Sequence, residues 1–250
     1  MSIINTFDNT TEAILNPSSL QSQIEGFPKL AIVAFGDRFI TALCEHYNPT
    51  QISTLHGCIH IPVYKVHFEG HDIAVYGSSI GGPAAAGFME DMIAKGSEKF
   101  LFFGSCGVLD RALASESLIV PTAAYRDEGT SYHYAPPSGY IEVPTATKLE
   151  KIFSDLHLPY TSGKTWTTDA IYRETRGNME KRKKEGCITV EMECASIMAV
   201  AQFRGIETYQ FLYAADNLDE DVWDARVLGG LPHDSREKFM RIALEVAVRL

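Results

Sequence analysis

Short, continuously apolar runs, each stopped by glycine or acidic residues, constrain this chain more than any other feature. KLAIVAF (Lys29–Phe35), KFLFF (Lys99–Phe103) and ETYQFLYAA (Glu207–Ala215) are far too short to cross a membrane. They are also too uniformly apolar for a strand with one wet face, so they read as strands buried on both faces. Further strands are expected at Ser117–Ala124, Tyr160–Thr167 and Cys187–Val190. Ile61–Phe68 and Asp72–Tyr76 alternate around Glu69-Gly70-His71 and read as a hairpin. Helical spacing fills the gaps at 39–47, 84–95, 145–157, 175–185, 194–203 and 235–250. Pro83 suits a first helical turn, and Gly96 suits a helix end. Strands alternating with helices define an α/β chain with a parallel or mixed sheet.

There is no repeat, low-complexity tract or linker, so residues 1–250 are expected to form one domain, with 1–28 a polar, peripheral lead-in. Residues 125–144 carry Gly129, Pro136, Pro137, Gly139, Pro144 and several tyrosines, and read as a long loop serving as lid or subunit contact. The Lys181–Lys184 run reads as a solvated helix face.

The formal net charge of −10 argues against nucleic acid as the main partner. The N-terminus has no basic region of a secretory signal, so a cytoplasmic setting is expected. Five cysteines without CxxC spacing suggest reduced thiols, with neither a disulfide frame nor a zinc knuckle. His56 and His60 are four apart, but Gly57 breaks a helix there and no carboxylate is near in sequence; no metal site is expected.

Chemistry-bearing residues collect where strands end. Gly36-Asp37-Arg38 follows the first strand directly and forms a plausible anion corner, although an ordinary turn has the same composition. Gly77 to Pro83 and Gly104-Ser105-Cys106-Gly107 form two more glycine-rich turns, the second with a hydroxyl for an anion. Trp166 lies near another strand end, where it either stacks on a flat base or fills the core. At Val190-Glu191-Met192-Glu193, two carboxylates precede a helix of small residues. Such a carboxylate can accept both hydroxyls of a vicinal diol, or can simply cap the helix. Asp216 closes the last strand. In open α/β sheets ligands bind at the carboxyl ends of strands, so the joint placement of these residues matters more than any one of them.

The ordered series SSIGGPAAA, FGSCG, VEMECAS and AADN, spread over residues 30–250, resembles the nucleoside phosphorylase-I family of purine nucleoside phosphorylases, uridine phosphorylases and related nucleosidases. The resemblance implies a single-domain, three-layer α/β sandwich around a mixed, partly barrel-like sheet. It also implies a homo-oligomer, a dimer or a hexamer, with sites near subunit boundaries. By motif, Glu191, Met192 and Glu193 form the ribose segment, with Glu193 on the 2′ and 3′ hydroxyls. Gly36, Arg38 and Ser105 are the phosphate segment. Asp216 matches the aspartate that protonates N7 in purine-specific members, with Arg226 tuning it, and Trp166 lies near the base-stacking aromatic.

The implied activity is phosphorolysis of a purine nucleoside to free base and ribose-1-phosphate, with phosphate as co-substrate and no cofactor. Two departures stand out. The first loop is two residues shorter than the family's GDPxR, and Phe102 stands where phosphorolytic members carry an arginine. Phosphate needs charge-assisted donors, so hydrolysis by water and nucleoside binding without turnover are the alternatives.

Overall fold

The computed structural model describes residues 2–56 and 60–250. Gly57, invoked above as a helix breaker, and Cys58, one of the five cysteines, lie outside the described residues. The polar lead-in holds one 3₁₀ turn and a short helix, α1 (Pro17–Leu20). Then come β1 (Leu30–Phe35), α2 (Asp37–Tyr47), β2 (Thr50–His56), β3 (His60–Phe68), β4 (His71–Ser78) and α3 (Gly82–Lys95). The middle of the chain gives β5 (Lys99–Val108), β6 (Leu118–Asp127), α4 (Ser131–Tyr134), β7 (Tyr140–Glu142) and α5 (Ala146–Asp155). The last third gives β8 (Tyr160–Thr168), α6 (Arg176–Lys184), β9 (Cys187–Glu191), α7 (Cys194–Arg204), β10 (Glu207–Asn217) and α8 (His233–Ala247).

One mixed sheet joins all the strands. β1 pairs in parallel with both β4 and β5, as continuous burial of their side chains requires. β10 pairs with β5 on one side and β6 on the other, while β6–β8–β9–β5 completes a ring. Half of the sheet is therefore a closed barrel and the rest is an open wing of β1, β4, β3 and β2. Two helical groups flank it: α2, α5 and α8 contact one another or the sheet, as do α3, α4 and α7. Every residue of α7 from Cys194 to Ala201 is buried, which explains why that helix is apolar all round. No helix among the described residues is long and apolar enough to cross a membrane.

The structure corrects several expectations. Gly104 to Gly107 is not a turn: β5 runs through it to Val108, because the sheet needs this length to close against β9 and β10. The stretch 125–144 is not an open loop. It carries the end of β6, α4 and β7, and is locked by buried Arg126, whose guanidinium donates to Ser131 Oγ (2.7 Å) and Pro136 O (2.7 Å). The basic run of α6 is not wholly solvated, since Arg182 is buried with its guanidinium 3.6 Å from the Tyr125 ring centroid. β2, too polar to stand out in sequence, is the outer strand of the wing, with His56 paired opposite His60.

Candidate active site

β5 and β9 run antiparallel, so their C-terminal ends meet, with Gly107 opposite Val190. On the other side of β5, Gly107 lies opposite Asp216, just past a register shift between Ala214 and Asp216. Such a bulge re-aims the residue that follows it. Here it brings Asp216 so close that a Cβ on residue 107 would sit 3.2 Å from Asp216 Oδ1 and 2.5 Å from Leu218 Cδ1. Only glycine permits that approach. The carboxyl ends of β5, β9 and β10 thus converge, and β8 joins them with Thr167 opposite Glu191.

The two glutamates expected to share a face do different work. Glu191 is wholly engaged by protein: its carboxylate accepts Thr167 Oγ1 (2.5 Å) and the backbone N–H groups of Glu193 (2.8 Å) and Cys194 (2.7 Å). It holds the first turn of α7 and so positions Glu193. Glu193 Oε1 accepts the Gly81 N–H at 2.6 Å. Gly81 has a φ of 98°, a conformation that favours glycine and turns this N–H toward Glu193. Burial pushes the Glu193 carboxyl up to about 8, with the charge of Glu191 adding to it. Burial likewise lifts Glu191 to about 7, against the hydrogen bonds it accepts. Met192, between them, is half-buried.

Asp216 faces a cleft of about 560 Å³ lined also by Tyr172, Glu174, Arg176, Met179, Leu218 and Trp223. Its Oδ2 accepts the Trp223 indole N–H at 2.7 Å. Burial raises the pKa of Asp216, while Trp223 and the more distant charge of Arg226 oppose the shift. Arg226 donates to Leu113 O (2.8 Å) and faces Asp224 (3.4 Å), so its influence on Asp216 is through space. Glu174 is raised to about 7, by burial first and by the charge of Asp216 second.

At the opposite end, Ser105 faces Tyr213 across the β5–β10 ladder, and burial lifts the Tyr213 phenol to about 12. Gly36 caps α2 with a φ of 136°. Arg38 is exposed and donates to Gly229 O (2.6 Å). Phe102 is fully buried, with its ring 6.1 Å from Phe35 and 5.9 Å from Phe100, so no cation comes from that position. Trp166 is core, 1% exposed, and donates to Asp127 (3.0 Å). It is not a cleft wall, which corrects its base-stacking reading. Two exposed aromatics line the cleft with Asp216, Tyr172 and Trp223, and it is Trp223 that donates to its carboxylate. Sequence reasoning passed over Trp223 and Glu174; the clue to the first was an aromatic inside an acidic loop directly after a strand-end aspartate. Cys106 and Cys194 are buried, and burial pushes both thiols up.

The chain matches the phosphorylase superfamily over residues 29–250, and it belongs to that family. It is 29% identical to guanosine phosphorylase of Halorubrum lacusprofundi over 151 residues, 58% of this chain and 61% of that protein. It is 27% identical to uridine phosphorylase of Thermococcus kodakarensis over 165 residues, 57% of this chain and 58% of that protein. The chain thus spans about three fifths of the length of these relatives. Among solved structures, purine nucleoside phosphorylase from Toxoplasma gondii in complex with immucillin-H superposes with a TM-score of 0.75 at 20% identity, covering 96% of this chain and 97% of that one. 5′-Methylthioadenosine/S-adenosyl homocysteine nucleosidase of Campylobacter jejuni gives 0.71 at 20% identity, covering 89% and 100%. At these identities the likeness is one of fold.

Proposed function

We propose that this chain cleaves the N-glycosidic bond of purine nucleosides and transfers the ribosyl group to phosphate. The observation that carries the reading is Asp216. It is an acid of raised pKa at an aromatic-walled cleft, at the same convergence of strand ends that positions Glu193. The C1′–N9 bond breaks with its electron pair passing to the base, and Asp216 delivers a proton to N7. Positive charge develops on the sugar, and Glu193 stabilises it while accepting the 2′ and 3′ hydroxyls. Met192 packs on the sugar. A phosphate oxygen then bonds C1′ and gives ribose-1-phosphate. Gly36, Arg38 and Ser105 hold the phosphate, and Arg226 adjusts Asp216 from a distance. The similarity to guanosine phosphorylase supports this reading. A homo-oligomer, dimer or hexamer, belongs to the same proposal, supported by the outer edge of β2, which pairs with no further strand among the described residues.

A second reading, hydrolysis, is favoured by one observation: the buried, apolar Phe102, with Arg38 already donating to Gly229 O. Product analysis separates the two. Purine release that stops when phosphate is withdrawn, with ribose-1-phosphate formed mole for mole with base, is the expected result. Undiminished release yielding free ribose identifies a hydrolase.

A further inference from the structure

We propose that Glu45, His46, His233 and Glu237 form a binding site for a divalent transition-metal ion, with zinc as its representative. The ion clamps the end of α2 to the start of α8. None of the four residues lines the cleft, so the site stands or falls apart from the role given to Asp216.

Glu45 and His46 lie in the last turn of α2. His233 opens α8, and Glu237 follows at the i, i+4 spacing that puts two side chains on one helix face. The packing of α2 against α8 brings together Glu45 and His233, which are 188 residues apart in the chain. His233 Nε2 lies 3.0 Å from Glu45 Oε2. His46 Nε2 lies 3.7 Å from Glu237 Oε2, and the two imidazoles meet edge to face with ring centroids 6.1 Å apart. One ligand atom each from Glu45, His46 and His233 falls within 4.8 Å of the other two. No other set of three or more His, Cys, Asp or Glu side chains does so among the described residues. Ligand atoms about 2.0–2.2 Å from a tetrahedral zinc ion stand roughly 3.4 Å from one another. Closing the site therefore takes shifts of about 1 Å, which exposed side chains supply by rotation.

Exposed carboxylates gather on many surfaces without holding an ion. What distinguishes this group is its donor set and its pairing. Two imidazole nitrogens with carboxylate oxygens suit zinc and its transition-series neighbours, whereas magnesium and calcium take oxygen donors. Among the described residues, neither Glu45 nor Glu237 pairs with a lysine or an arginine; each faces an imidazole. Asp234 Oδ1 stands 3.8 Å from His233 Nδ1, on the ring nitrogen away from Glu45, where a carboxylate orients a ligating imidazole. The segment leading into His233 includes Gly229, whose carbonyl accepts from Arg38 in the first turn of α2. A metal ion at His233 fastens a second point of that segment to the same helix.

The test strips the full chain of metal with a chelator and titrates it with zinc chloride. Calorimetry should show one tight equivalent per chain. At a hundredfold excess over Kd the melting temperature should rise by about 5–10 °C. Magnesium chloride at the same concentration should leave it unchanged. His46→Ala and His233→Ala should each abolish most of the rise, while their metal-free forms melt within about 2 °C of wild type. His56→Ala, which alters the imidazole pair of His56 and His60 (ring centroids 4.9 Å apart), should keep it. Cobalt(II) in place of zinc should give the strong visible absorption of a tetrahedral site and lose it in His233→Ala. The site is overturned if zinc does not raise the melting temperature, or if magnesium raises it equally. It is overturned as well if the rise survives both histidine substitutions or disappears in His56→Ala.

Discussion

Asp216→Asn should lower kcat for purine nucleosides by roughly 10²–10⁴-fold, the usual contribution of a positioned general acid. KM should change little. The asparagine side chain keeps an oxygen for the Trp223 indole N–H and nearly the same volume in the bulge opposite Gly107. What it loses is the proton. The purine must then depart as an anion from a site where burial, which raises the pKa of Asp216, also disfavours unneutralised negative charge. Initial rates of free-base release in both proteins check this, with the melting temperature confirming that the fold is intact. A kcat within about threefold of wild type would remove Asp216 from the chemistry.

The second large effect is expected at Glu193. Replacing it with glutamine removes a carboxyl that becomes the anion above about pH 8, while retaining an oxygen for the Gly81 N–H. Two hydrogen bonds from ribose hydroxyls to a carboxylate are together worth about 3 kcal/mol beyond their neutral counterparts, so kcat/KM should fall roughly 100-fold. The same substitution should change how stability depends on pH. Glu193 is raised from 4.5 to about 8 in the folded chain, and Glu191 from 4.5 to about 7. A raised carboxyl pKa means that the folded state holds its proton more tightly than the unfolded state does. The stability it contributes is fully present below about 4.5, declines as pH rises, and is gone above about 8. The ligand-free protein should therefore melt at lower temperature at pH 9 than at pH 6. Glu193→Gln should flatten part of that slope, on the order of 2 kcal/mol. Added nucleoside should restore more stability at the alkaline end, because the ionised carboxylate is the form that binds the diol. Equal slopes in both proteins would show that Glu193 does not carry the titration.

The alternation of buried apolar runs with helices was enough to place most strands and helices, because a strand covered on both faces has few other compositions available. The closure of the barrel was not legible. It depends on β10 finding both β5 and β6, and on β5 continuing through Gly104 to Gly107, where local composition favours a turn. Tertiary pairing overrode local preference there. Glu193 and Asp216 could be picked out because they end apolar runs. The division of labour between Glu191 and Glu193 could not, since period-two spacing puts both on one face only while the strand lasts, and β9 ends at Glu191. Trp166 was misplaced for a related reason. Position near a strand end does not say which face a side chain takes, and Trp166 points inward to Asp127. Glu174 gave no local signal at all. Its significance comes from the burial and the neighbouring charge that the fold supplies.

The most direct test of the account is the release of free base from guanosine, inosine, adenosine and uridine by the wild-type chain in phosphate buffer, resolved by chromatography. Release of purine, with uridine turned over far more slowly, is the result the account predicts. Nucleoside that binds but is recovered intact would contradict it and leave a nucleoside-binding protein on a phosphorylase fold.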